Sequence, residues 1–172
     1  IDGKAMRGTD GRSVVGAVGQ PSQRTYAIVP MQKNESEIIA VRSLLAQTEF
    51  TGRLLTLDAL HTQHETVHQI LYDQGADYLV PLRDNQPGLV KNAQTLLPEG
   101  FPPQEATAQP ELYRVAQTEE IQNERLEKRT LIVREITPSQ MDLAGAAQLG
   151  LVIRERIEKG KTTLSVHYMV TS

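Results

Sequence analysis

The stretch Leu54-Leu55-Thr56-Leu57-Asp58-Ala59-Leu60-His61 constrains the fold more than any other. A short apolar run after Gly52-Arg53 suits a central strand buried on both faces. A lone aspartate at the tip of such a strand is costly unless a helix N-terminus, an arginine or a cation offsets it. The natural companion is Asp2, in Ile1-Asp2-Gly3-Lys4. If the two strands lie side by side, two carboxylates meet at one sheet end. Such a pair would bind a hard divalent cation, Mg²⁺ or Mn²⁺, through oxygen. For either aspartate alone, turn or helix capping is the commoner use.

The chain has 172 residues, 39% hydrophobic and 23% charged, enough for one globular domain with room for an insertion. It holds no apolar run of about 18 residues and no signal-peptide pattern, so no membrane partner is expected. With no cysteine there is no disulfide and no thiolate metal site, which fits a reducing, cytoplasmic setting. A net charge of −3 is less basic than a free-standing DNA-binding module usually shows. A nucleic-acid role must then rest on local basic patches or on a larger protein. Both ends read as cut: Asp2 sits at the second residue, and the chain stops just after an apolar alternating run. The expectation is a piece of a longer reading frame.

Ile1–Thr9 begins as a strand end, and Ser13–Gly19 and Thr25–Gln32 follow as two strands around a Gly19/Pro21 turn. Asn34 is expected to cap a helix with Glu37 as its capping-box partner, and Ile38, Val41 and Leu45 form the core stripe. That helix ends near Gln47. Leu54–Asp58 is the fourth strand, reached by a crossover that favours parallel pairing. Thr62-x-x-Glu65 opens the next helix, with Val67, Ile70 and Leu71 inward, and Gly75 stops it. Asp77–Leu82 is the fifth strand and Leu89–Leu97 a short helix. Glu99–Pro110 reads as a linker. Beyond it, Glu111–Gln122, Arg125–Ile136, Leu149–Ile157 and Thr162–Thr171 read as long strands, the last two joined at Glu158-Lys159-Gly160-Lys161. The order predicts an α/β fold: a mixed sheet of order 3-2-1-4-5, with Asp2 beside Asp58, followed by a β-rich segment.

An ordered set of residues resembles one family. Ile1-Asp2-Gly3-Lys4-x-x-Arg7-Gly8, Asn34-x-Ser36-Glu37-Ile38, Leu57-Asp58-Ala59, Gly75-Ala76-Asp77-Tyr78, Leu82-Arg83-Asp84-Asn85-Gln86 and Tyr168-Met169-Val170-Thr171-Ser172 fall in the order found in DDE transposases of bacterial insertion sequences, of the H-repeat-associated (ISAs) type. The resemblance covers nearly the whole chain. It implies an RNase H-like core, partial, over 1–98, with a β-rich insertion subdomain over 99–172 that stops before a Glu-bearing helix. It implies metal-dependent DNA strand cleavage and transfer with Mg or Mn, DNA as partner (the element's ends and its target), and a dimer of the full-length parent. Asp2 and Asp58 match the first two acids of the triad. The third, a Glu, would follow Ser172; Glu135, Glu155 and Glu158 do not match its position. This chain alone is therefore expected to be inactive. Lys4, Arg7, Arg83, Asn85 and Gln86 are carried over as DNA contacts. Arg83 and Asp84 depart from the family's Leu-Lys-Gly-Asn-Gln, and Asp84 adds a negative charge there. Arg125, Lys128 and Arg129 sit where the family has His-Gly-Arg-Ile-Glu-x-Arg and are phosphate-contact candidates, or else solvated cross-strand charge pairs.

A second motif competes. His64-Glu65-Thr66-Val67-His68 is a literal H-E-x-x-H, which on a helix would set two imidazoles on one face for Zn²⁺, with Glu65 as general base. Five-residue patterns arise by chance, and Glu65 reads equally well as the capping partner of Thr62. No third ligand of obvious spacing follows, although His61 adds an imidazole. A zinc metallopeptidase and a non-catalytic DNA- or protein-binding remnant are the two alternatives to the transposase reading.

Overall fold

A computed structural model describes residues 1–5, 13–20, 22–122 and 125–172. The chain divides into two compact units, Ile1–Val80 and Pro81–Ser172. The first opens on an antiparallel meander of β1 (Asp2–Ala5), β2 (Ser13–Val18) and β3 (Thr25–Pro30). Its register places Asp2 opposite Gly16, and Gly16 opposite Ile28. Alternation then sorts the side chains. Val15 and Ala17 are buried on the face that α1 (Glu37–Gln47) covers, through Ala40, Val41, Leu44 and Leu45. Val14, Gly16, Val18 and Ile28 point to the other face.

The cap of α1 differs from expectation. Ser36 is the N-cap, its hydroxyl accepting from the Ile39 N–H, and Glu37 is the first helical residue. Asn34 instead takes a left-handed conformation (φ 67°) in the turn before it, which asparagine tolerates. After Gly52 (φ 68°) comes β4 (Leu54–Thr56), parallel to β5 (Asp77–Leu82) through Leu54↔Asp77, Leu55↔Tyr78 and Thr56↔Leu79. The strand stops two residues short of Asp58. Ala59–His61 is a 3₁₀ turn, and α2 (His64–His68) runs on into a π-turn at Gln69–Asp73 before Gly75 (φ 59°). The expected Thr62/Glu65 capping box is absent: Thr62 closes the 3₁₀ turn and Gln63 precedes α2 with no side-chain cap. Among the described residues no β1–β4 ladder forms; the Ile1 ammonium donates to Thr56 O at 2.6 Å, and Arg53 Nη1 donates to the Tyr26 hydroxyl at 3.2 Å.

The second unit holds α3 (Pro87–Leu96) and a meander of β6 (Tyr113–Gln122), β7 (Arg125–Glu135), β8 (Gln148–Glu158) and β9 (Lys161–Thr171), each antiparallel to the next. The stretch read as a linker contains a short helix, α4 (Pro103–Thr107), because Pro103 supplies a ready first-turn φ and Ala106 a buried contact. A further turn, α5 (Pro138–Met141), is held by a Thr137/Gln140 capping box. Lys159 (φ 49°) and Gly160 (φ 74°) make the tight two-residue connection between β8 and β9. Tyr168 ties this core together, its hydroxyl donating to the Leu97 carbonyl at 2.6 Å. No helix among the described residues is long and apolar enough to cross a membrane.

Candidate metal centre and basic strand face

Asp2 and Asp58 line one cavity of about 560 Å³ in the first unit, together with Val14, Val18, Ile28 and Leu57. Both carboxylates are exposed. Asp2 reaches the cavity because the β1–β2 register puts it opposite a residue without a side chain, Gly16. Asp58 reaches it from the end of β4. One of its oxygens also does capping work: Oδ1 accepts from the Ala59 N–H at 2.6 Å, and the Asp58 carbonyl accepts from the His61 N–H at 2.9 Å. Capping and site roles coexist in this residue, since a carboxylate accepts at about four lone-pair positions. The donor set is two exposed carboxylates, hard oxygen ligands that fit Mg²⁺ or Mn²⁺ and not a thiophilic ion. No group of three or more His, Cys, Asp or Glu side chains suited to a metal occurs among the described residues.

Behind the two aspartates lies a pair that sequence reading did not single out. The His61 side chain is fully buried, with Nε2 3.0 Å from Glu37 Oε1 and Nδ1 without a partner. Glu37 and His61 are far apart in sequence and follow no local pattern, so only the fold reveals the contact.

In the His64–His68 motif, Glu65 is engaged by Arg42, whose Nε also lies 3.4 Å from Thr66 Oγ1. Exposed His68 packs against Tyr72, ring centres 4.6 Å apart. His64 and His68 do line a common shallow hollow, but Arg42 lines it too. A guanidinium there opposes a dication and occupies the would-be general base.

The phosphate-contact candidates separate. Strand alternation puts Arg125 and Arg129 on one face of β7 and Lys128 on the other, so the three are not one patch. The register adds Arg154 and Arg156 of β8 to the arginine face, opposite Arg129 and Glu127. Sequence reading missed both, although the Arg-x-Arg spacing in a strand is a visible signal. Glu127 is the hub of this face. It is 3% exposed, covered by the guanidinium groups of Arg125, Arg129 and Arg154 more than by apolar packing. The Arg154 hydrogen bond at 2.6 Å holds its carboxyl below the usual range, partly offset by burial, with Arg129 and Arg125 assisting.

Of the remaining candidates, Arg83 and Asn85 are exposed in the turn after β5, and Gln86 precedes α3. Arg83 Nη1 lies 3.1 Å from His167 Nδ1. The Lys4 backbone pairs with Val14 in β1. Arg7 lies outside the described residues.

No family model matches the chain. It is 29% identical over 105 residues to the protein YbfL of Escherichia coli (strain K12), covering 57% of this chain and 28% of that one. Among solved structures, the piggyBac transposase in its synaptic complex with hairpin DNA is similar at a TM-score of 0.45 and 10% identity, over 98% of this chain and 29% of that one. The chain spans less than a third of the length of either.

Proposed function

We propose that this chain carries part of the catalytic core of a DDE-class transposase of the H-repeat-associated type, which cleaves and joins DNA strands with Mg²⁺ or Mn²⁺. The observation that carries the reading is the convergence of Asp2 and Asp58 on one cavity from the ends of two strands. In this reading the β3-β2-β1 meander and the β4-β5 pair are two parts of an RNase H-like core of order 3-2-1-4-5, without a β1–β4 ladder among the described residues; residues 1–98 are the core, and 99–172 are the β-rich insertion. The bound ions supply Lewis acidity toward water or a 3′-hydroxyl and toward the leaving oxygen. Asp2 and Asp58 hold and orient that centre. Arg125, Arg129, Arg154 and Arg156 receive phosphates as guanidinium forks.

The uncovered apolar face beside the two acids supports the reading. Val18 and Ile28 are 49% and 61% exposed on the wall of the same cavity. An amphipathic helix bearing the third acid would cover them and complete the donor set. Titration with Mn²⁺ and Zn²⁺ tests the site. Mn²⁺ binding is expected to be lost in Asp2→Ala and in Asp58→Ala and retained in His68→Ala. Mn²⁺ affinity indifferent to both aspartates would overturn the proposal. Peptidase activity abolished by His68→Ala would install the zinc reading in its place.

A further inference from the structure

We propose that Glu37 and His61 are a positioning pair that fixes the two acid-bearing segments against each other; this rests on the metal-site reading above. The Glu37 carboxylate touches both segments. On one side it lies against Gly3, the residue after Asp2. A Cβ built on Gly3 would sit 2.5 Å from Glu37 Cδ and 2.7 and 2.8 Å from its two oxygens. Only glycine lets the carboxylate approach the β1 backbone so closely. On the other side, Oε1 meets His61 Nε2 at 3.0 Å.

His61 transmits the position to Asp58. Its backbone N–H donates to the Asp58 carbonyl, and the same 3₁₀ turn is capped by Asp58 Oδ1. Because the ring is completely buried, a displacement of it would be passed to the turn that aims the second carboxylate. The ring is completely buried, and Glu37 supplies its hydrogen-bond partner while Nδ1 is left without one. Burying an imidazole with an orphan nitrogen costs free energy that an apolar residue would not. Retaining a histidine here is explained by the directional contact its Nε2 makes.

Glu37 is a firm base for this contact. It opens α1, where the helix N-terminus favours its negative charge, and α1 is locked in the core by Ala40, Val41, Leu44 and Leu45. A site supported from a rigid element by a second layer of hydrogen bonds holds its donors more closely than loops alone would. Glu37 and His61 need not touch the ion.

The test is Mn²⁺ titration of the whole chain followed by electron paramagnetic resonance, at a temperature where circular dichroism shows each variant folded. Asp2→Ala and Asp58→Ala give the baseline: if neither lowers affinity, the metal-site reading itself fails. Given that baseline, Glu37→Ala should lower Mn²⁺ affinity about tenfold and broaden the Mn²⁺ signal, as lost supporting partners of metal ligands do. Glu37→Gln should restore affinity to within about twofold, because its amide oxygen still accepts from Nε2–H. A folded Glu37→Ala protein with wild-type affinity and spectrum overturns the pair's role, as does a Glu37→Gln protein as impaired as Glu37→Ala. Should Glu37→Ala not fold, Gly3→Ala replaces it. It displaces the carboxylate without removing it, and wild-type binding by that variant overturns the proposal equally.

Discussion

His167 accepts from Arg83, and a guanidinium has no acceptor, so the Nδ1 facing it must carry a lone pair. Burial holds the imidazole below its ordinary value of 6.5, and the Arg83 and Arg154 charges push it the same way. The unfolded chain then binds the proton more readily than the folded one. Stability from the neutral ring is complete above about 6.5 and is lost as pH falls through the lowered value. In an NMR titration Arg83→Ala should raise the His167 midpoint; an unchanged midpoint would refute this assignment. Tyr168 gives a second residue-scale expectation. Burial pushes its hydroxyl up to about 12, and it donates to the Leu97 carbonyl. Tyr168→Phe should cost about 1 kcal/mol in denaturant unfolding, the worth of a typical hydrogen bond.

At the scale of the strand, charge is organised by register. Glu127 neutralises part of a face that carries Arg125, Arg129, Arg154 and Arg156, and Lys128 projects from the other side. If that face receives DNA, Arg129→Ala and Arg154→Ala should each weaken binding and flatten its salt dependence, while Lys128→Ala changes little. Equal losses for all three would dissociate binding from this face. Glu127→Gln should act oppositely on two measurements. The melting temperature should drop, because Arg129 and Arg154 lose their shared anion. DNA affinity should rise and its salt slope steepen, because those guanidinium groups become available. The folded-state carboxyl lies below its ordinary 4.5, held mainly by Arg154. Its contribution to stability is therefore full above that pH and is lost as pH falls through the lowered value.

For the molecule as a whole, if the two aspartates hold a two-ion centre, as proposed, they offer about four oxygens against about twelve coordination positions for two octahedral ions. Cations held close together repel, so a shell with few carboxylates weakens the second ion most. Residues 1–172 are expected to bind one Mn²⁺ weakly and to leave DNA bearing the element's ends uncut. Robust metal-dependent cleavage, lost on Asp58→Ala, would show that another acid of this chain completes the site; Glu135 and Glu155 would be tested first. Under the proposed function, a net charge of −3 leaves DNA contact to one arginine-bearing face and not to the overall field.

Period-two alternation and turn residues such as Gly19, Pro21 and Gly160 were enough to locate the strands of both meanders. The apolar run before Asp58 was legible as a strand, but its burial was not: it was read as covered on both faces, whereas β4 ends at Thr56 and buries only Leu55. Local competition obscured the finer features. Asn34, Ser36, Thr62 and Gln63 are all plausible at a helix start, and tertiary packing selected Ser36 and Gln63. Pairing across the chain was beyond sequence alone. Which arginines share a face depends on register between β7 and β8, and the Glu37–His61 contact depends on α1 packing over β2 and β3. Both are set by long-range burial, which leaves no periodic trace in the residues that it brings together.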